Sequence, residues 1–191
     1  MAIITVDSIG NNLGVVLNCN NGVQSALGFD RNGLIGKNVT KIMPKIYSEL
    51  HNNFMLRFIR SETSHLRPSD KLVTALNKDA LLVEIKLTVR MMTSSHSALT
   101  IVGFMKQMPK EKGEAEAGLL MFSLNTSEIL AIDAQFEKLM NYKLSGKQLV
   151  QEEIKLASIM PEINLERLEK EGTVRSVLEV GNANEQDDID I

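Results

Sequence analysis

NNGVQSALGFDRNGLIGKNVTKIMPKIYSELHNNFMLRFIR, residues 20–60, is the stretch that decides the fold. It begins with asparagines, which suit the start of a helix because their side chains accept hydrogen bonds from free backbone N–H groups. Gly28 suits the end of that short helix, since glycine adopts the left-handed backbone that closes helices. Residues 45–60 then space apolar side chains three and four apart, which predicts a long amphipathic helix. Its predicted core-facing stripe consists of Ile46, Leu50, Phe54 and Phe58.

Strands are predicted on both sides of this helical stretch, because β-branched residues alternate with polar ones between turn signals. The predicted strands are residues 2–9, 13–18, 71–76, 80–90 and 98–105. Gly10, Asn11 and Asn12 form a turn between the first two, which makes them an antiparallel hairpin. Two strands, several helices and three strands predict an α+β fold, with one five-stranded antiparallel sheet and short helices on one face.

The rest of the chain echoes its beginning. Residues 108–117 are polar and predict a linker, residues 118–180 predict a partial second unit of the same kind, and residues 181–191 predict a disordered acidic tail. The predicted correspondences are Gly28-Phe29 with Asn141-Tyr142, Gly36-Lys37 with Gly146-Lys147, and Met43-Pro44 with Met160-Pro161. About thirty residues follow Met160-Pro161, which is too few for another long helix and three strands, so the second copy is truncated or reduced.

The composition excludes several classes of function. Hydrophobic residues make up 43% and charged residues 24% of the 191 residues, as in ordinary soluble proteins. The net charge of -3 and the scattered basic residues predict no nucleic-acid partner. No apolar run approaches the length of a membrane span, and the N-terminus lacks the features of a signal peptide. We therefore expect a cytoplasmic protein, alone or within a larger or membrane-associated assembly, with no direct membrane insertion.

Chemistry-bearing residues are sparse. The chain has three His and one Cys, and its Asp and Glu residues form no recognisable motif. The string GNNLG at residues 10–14 lacks the Lys-Ser/Thr ending of a phosphate-binding loop. We therefore predict no catalytic residues and no metal site, and expect that the protein is not an enzyme.

With these elements, the sequence resembles the PAS domain family over residues 2–107. The similarity is carried by the order and spacing of NNGVQSALGF (20–29), NGLIGKN (32–38), IMPKIYSELHNNFMLRFI (42–59), LNKDALLVEIKLTVR (76–90) and ALTIVGFM (98–105). One departure is Asp79-Ala80, where many members have Asp-Gly or Asn-Gly in a hairpin turn. The resemblance implies the PAS fold and a sensory, signalling or protein-interaction module.

The resemblance also implies a small apolar pocket between the sheet and the helices. The residues expected to line that pocket, or simply to fill the core, are Ile42, Leu50, Phe54, Phe58, Val83, Ile85, Leu87, Ile101 and Phe104. A small-molecule ligand would bind there, and a protein partner or a second copy of the chain would receive the signal. The alternative is a ligand-free structural scaffold in a larger assembly.

The histidines and the cysteine are the candidate cofactor ligands. His51 and His65 have the fourteen-residue spacing of two histidines in the haem-type PAS oxygen sensors, so His65 is the candidate iron ligand of a lesser, gas-sensor alternative. Asp70 nearby argues against it, because an apolar haem pocket poorly tolerates an unpaired carboxylate. Cys19 stands outside the position of the photoactive cysteine of flavin-binding members and suits a small core residue. The sequence thus favours no cofactor.

Overall fold

The chain builds a larger N-terminal unit and a smaller C-terminal unit, described here in a computed structural model for residues 1–60, 70–93, 99–108, 118–140 and 145–161. The strands are β1 (Ala2–Asp7), β2 (Val16–Cys19), β3 (Lys71–Leu76), β4 (Leu82–Thr93), β5 (Leu99–Gln107), β6 (Leu120–Phe122) and β7 (Ile129–Ile132). The helices are α1 (Gly22–Leu27), α2 (Arg31–Leu34), α3 (Lys45–Arg60), α4 (Ala134–Leu139) and α5 (Gly146–Gln151). Short 3-10 turns cover Gly10–Asn12, Val39–Ile42 and Leu156–Ser158.

The first five strands form one sheet in the order β2-β1-β5-β4-β3, and every neighbouring pair is antiparallel. This confirms the predicted five-stranded antiparallel sheet. β1 and β5 lie at its centre although they are the first and last strands in sequence. The hairpin of β1 and β2 is thereby joined to the later strands, and α1, α2 and α3 are left to pack on the sheet.

Alternation along the strands decides which side chains meet the helices, because successive residues of a strand point to opposite faces. In β1, Ala2, Ile4 and Val6 are buried while the residues between them are partly exposed. Their cross-strand partners in β5 are Met105, Gly103 and Ile101, which therefore share the inner face. The next partners, in β4, are Leu87, Val89 and Met91. This face carries the core of the larger unit.

Polar side chains fix the path between the helices. Asp30 begins α2 by accepting a hydrogen bond from the Gly33 N–H at 2.6 Å. Asn38 accepts one from the Thr40 N–H at 3.0 Å and donates one to the Leu13 carbonyl at 3.0 Å, so it ties the turn after α2 to the chain before β2. Gly28 ends α1 with φ +75°, as its position predicted.

The start of α1 differs from the simple cap that the sequence predicts. The side chain of Asn21 makes no capping hydrogen bond. Asn20 binds β1 instead: its Oδ1 accepts from the Ile3 N–H at 2.9 Å and its Nδ2 donates to the Met1 carbonyl at 3.1 Å. Asn20 therefore fastens the end of β2 to the first strand.

The smaller unit pairs β6 with β7 and adds α4 and α5. Its core consists of Leu81, Ile129, Ile132, Phe136, Leu149 and Leu156. Leu81 belongs to the turn between β3 and β4, so the larger unit contributes a side chain to this second core. A bridge between Leu82 and Asp133 and an ion pair of 2.9 Å between Lys147 and Asp79 join the two units at the same turn.

Close packing at this turn depends on Gly146, the first residue of α5. A Cβ atom at this position would lie 2.7 Å from the carbonyl oxygen of Ala80. Ala80 itself has φ +61°, the left-handed conformation that favours glycine. The Asp79-Ala80 sequence thus makes the hairpin turn at the cost of backbone strain in the alanine.

Several predictions fall outside the described residues. These are most of the linker (109–117), the Asn141-Tyr142 pair, and everything after Pro161, which includes the predicted tail at 181–191. In the described parts of the chain, no helix is both long enough and apolar enough to cross a membrane.

Candidate functional site

Most of the residues predicted to line a pocket lie where α3 faces the inner side of the sheet. Ile42, Ile85 and Ile101 are buried there. Phe58, Val83 and Leu87 are partly buried and pack against the same core. Six of the nine predicted lining residues therefore meet between the sheet and the helices.

The prediction is wrong for Leu50 and Phe54, which are each 49% exposed. A step of four residues advances about 40° beyond a full helical turn, so the stripe from Ile46 to Phe58 winds by about 120° around the helix. Phe58 consequently reaches the core while Leu50 and Phe54 turn toward solvent. The face of α3 that packs inward carries Met55, Phe58 and Ile59.

The prediction is also wrong for Phe104, which points away from the helices. Its neighbours in β5, Gly103 and Met105, pair with the inner-face residues Ile4 and Ala2. Phe104 therefore lies on the outer face, where the guanidinium carbon of Arg90 sits 5.8 Å from its ring centroid. The sequence of β5 is apolar at both faces, so alternation alone could not assign this side chain.

His51 lies on the inward face of α3, one turn before Met55. Its Nδ1 atom is buried and has no hydrogen-bond partner among the described residues. Burial lowers the pKa of the imidazole, because desolvation disfavours the charged ring. The sequence pointed to His51 only through its fourteen-residue spacing from His65. The signal that could have located it is its spacing from Met55 and Phe58.

The other candidate ligands form no centre in the described residues. Cys19 is a buried member of the core, and burial raises the pKa of its thiol. His65 lies outside the described residues, so its proposed role as an iron ligand stays a prediction. Within the described ranges, no group of three or more His, Cys, Asp or Glu side chains could hold a metal ion.

A five-stranded antiparallel sheet of this strand order, with helices between β2 and β3 and an apolar inner face, defines an α+β domain. A family profile described as PAS domain matches residues 2–107. The chain belongs to the PAS domain family, whose members are sensory and signalling modules.

Solved structures with similar coordinates are also PAS domains. One is the PAS domain of an HTR-like protein from Haloarcula marismortui, with 9% identity, a TM-score of 0.44, and coverage of 56% of this chain and 80% of that one. Another is a PAS domain from Colwellia psychrerythraea, with 15% identity, a TM-score of 0.45, and coverage of 56% and 85%. The PAS domain of Bordetella pertussis BvgS has 15% identity, a TM-score of 0.43, and coverage of 57% and 77%. Comparison with curated proteins gives no match.

Proposed function

We propose that residues 2–107 form a non-enzymatic sensory module that binds a small, largely apolar ligand between α3 and the inner face of the sheet. The observation that carries this proposal is the buried Nδ1 atom of His51, which has no partner among the described residues. A buried polar atom without a hydrogen bond costs free energy, so its retention favours a group that would complete it. A ligand atom that donates to or accepts from imidazole would do so.

Incomplete cover of the sheet supports the same site. The inner-face residues Val73, Val83, Leu87, Val89 and Met91 are only partly buried, although they pack against the core. Phe58 and Ile59 of α3 are likewise only partly buried where they pack against the same core. A small ligand that filled this space would bury more of both surfaces, which is favourable in proportion to the apolar area removed from water.

The proposal includes a partial PAS-like repeat in residues 118–180, supported by hydrogen bonds that recur in both units. Asn20 accepts from the Ile3 N–H, and Asp133 accepts from the Leu119 N–H, both at 2.9 Å. In return, the N–H groups of Asn20 and Asp133 donate to the carbonyls of Ile3 and Leu119. The end of the second strand is thus tied to the first in the same manner.

The turn after the helices recurs as well. The Val39 N–H donates to the Gly14 carbonyl, and the Leu156 N–H donates to the Ser127 carbonyl, each at 2.8 Å. Gly14 and Ser127 both have positive φ, at +81° and +58°. The bridge between Val15 and Asn38 has its counterpart between Glu128 and Lys155.

These contacts change the alignment of the two copies. Ile154 takes the place of Lys37, since the carbonyl of each accepts a hydrogen bond from an N–H group in the second strand of its unit. The predicted correspondence of Gly36-Lys37 with Gly146-Lys147 is wrong, because Gly36 follows α2 whereas Gly146 begins α5. In this proposed alignment, Met43-Pro44 and Met160-Pro161 still correspond, because they lie equally far along the chain from Lys37 and Ile154.

The ligand proposal is tested with the full chain. Native mass spectrometry of the purified protein, with an absorption spectrum, reports whether a molecule stays bound. We expect a bound small molecule or, from a ligand screen, one that changes the amide NMR signals of Met55, Phe58 and Leu87. His51→Leu should weaken that binding, whereas the matched change Asn52→Leu on the exposed side of α3 should not. Equal binding by both variants would refute the role of His51.

The ligand-free scaffold is the second candidate, and it is favoured by the tightly buried part of the core, where Val16, Val23, Leu27 and Leu34 are each 1% exposed. It predicts that no screened compound binds and that His51→Leu stabilises the protein. The haem alternative would rest on His65, and a Soret band that disappears in His65→Ala is its test. In every version we propose a cytoplasmic module that passes its state to a protein partner or a second copy.

A further inference from the structure

A recess lies on the outer side of the sheet at the β2 edge, apart from the ligand site proposed between α3 and the inner face. Its volume is about 570 Å³, and it is open to solvent. Binding sites for small molecules commonly have volumes of about 300–1,000 Å³. The recess is lined by Ile3, Thr5, Asn18, Cys19, Asn20, Asn21, Gly22 and Arg31. We propose that it binds a small organic anion through the guanidinium group of Arg31.

The charge of the lining supports an anion. Among the described residues that line the recess, Arg31 is the one charged residue and none is acidic. The neighbouring Asp30 uses its carboxylate to cap α2 through the Gly33 N–H. In the described parts of the chain, Arg31 forms no ion pair, so its positive charge is not neutralised by a fixed carboxylate.

The guanidinium is held in position by a neutral group. Its Nη2 atom donates to Asn18 Oδ1 at 2.8 Å, and the same oxygen accepts from the Cys19 N–H at 2.9 Å. The Asn18 amide oxygen thus fixes the direction of the Arg31 guanidinium group. The other N–H groups of Arg31 remain available for bidentate binding of a carboxylate or phosphate. A site whose groups are already placed loses less entropy on binding.

Neutral polar groups complete the recess. Asn20 is fixed by its two hydrogen bonds to the first residues of the chain. The Asn21 side chain makes no capping bond, so its amide is available to a ligand. Thr5 and Ile3 on the outer face of β1 provide a hydroxyl group and an apolar surface. This set fits a carboxylate- or phosphate-bearing molecule with a short apolar part.

The test is an amide NMR titration of the full chain with sodium succinate and, separately, inorganic phosphate, each compared with sodium chloride at equal ionic strength. We expect saturable shifts at Ile3, Thr5 and residues 18–22 with at least one of the two anions. The anion that causes the saturable shifts shows whether the recess binds a carboxylate or a phosphate group. Shifts that grow without saturation, or equally with chloride, would overturn the proposal.

Variants separate a specific site from general attraction. Arg31→Gln should weaken binding about tenfold or more, because it removes the charge-assisted hydrogen bonds. Arg57→Gln is the matched control, since it makes the same change at an exposed position of α3 outside the recess. Asn18→Ala should weaken binding while the net charge stays the same. Equal affinity in Arg31→Gln and Arg57→Gln would reject the site, and their NMR spectra also show whether each variant is folded.

Discussion

The two units of the chain start in the same way and end differently. Each has a hairpin, short helices and a 3-10 turn, but only the larger unit extends its hairpin into a five-stranded sheet among the described residues. The smaller unit has two strands, and its core includes Leu81 from the larger one. Isolated two-stranded hairpins are marginally stable in water. We therefore expect the larger unit to fold by itself and to support the smaller one at the β3–β4 turn.

Each unit also contains a close contact between the start of its first strand and its first helix. In the larger unit the glycine is on the helix: a Cβ atom at Gly22 would collide with the carbonyl of Met1. In the smaller unit the glycine is before the strand: a Cβ atom at Gly118 would collide with the backbone of Phe136. In each unit a glycine thus allows the first helix and the start of the first strand to approach closely, but from opposite sides of the contact.

The largest expected effect comes from truncating each core. Leu27 and Leu156 are both 1% exposed, and Leu→Ala at such positions costs about 2–5 kcal/mol. We expect Leu27→Ala to lower hydrogen-exchange protection in both units, because the smaller unit depends on the larger. Leu156→Ala should lower protection only in residues 118–161. Loss of protection across residues 2–107 in Leu156→Ala would contradict the proposed direction of dependence.

The next largest effect is expected from filling the two glycine contacts. Overpacking costs about 1–3 kcal/mol, and more where backbone atoms must move. Gly22→Ala should lower the melting temperature of the larger unit, and Gly118→Ala should expose residues 118–140 to hydrogen exchange. Gly103→Ala is the control for adding a methyl group without a collision, since Gly103 also lacks a positive φ and its Cβ atom would lie an ordinary 3.5 Å from Leu87. A control variant as destabilised as Gly22→Ala would show that the contact is not the cause.

The sequence predicted the fold of the larger unit because its signals are local and agree with each other. Helix α3 occupies residues 45–60 as predicted, since apolar spacing and Pro44 define it without help from distant residues. Strand bounds were less accurate: the second strand begins at Val16, because residues 13–15 are used in contacts with Asn38. Those contacts join positions far apart in the chain, which local patterns do not contain.

The pocket was less predictable than the fold. Side-chain direction on α3 depends on how the helix is rotated against the sheet, and two apolar stripes were available to face it. The face of α3 that packs inward includes His51, which a prediction based only on hydrophobic residues does not select. The prediction for Phe104 was wrong because an apolar, aromatic side chain favours a position in the core, whereas Phe104 lies on the outer face of β5.

A smaller effect is expected from pH, and it should be confined to the larger unit. The pKa of His51 is lowered in the folded protein, whereas in the unfolded chain it is near 6.5. As pH falls through about 6.5, the unfolded state therefore binds the proton first and stability is lost. His51→Leu should remove this loss of stability between pH 7 and 5, measured by denaturant unfolding. An unchanged slope in this variant would show that the buried ring is not its source.

The smallest effect is expected at the ion pair between the units. Asp79 has a lowered pKa because Lys147 donates a hydrogen bond to its carboxylate, but the two side chains are 45% and 68% exposed. Exposed pairs contribute about 0–1 kcal/mol and are screened by salt. Lys147→Gln should therefore leave hydrogen-exchange protection in residues 118–161 nearly unchanged, whereas Leu81→Ala should reduce it clearly. If Lys147→Gln has the greater effect, and added salt reproduces it in the unmodified protein, the units are joined by charge and the shared apolar core is secondary.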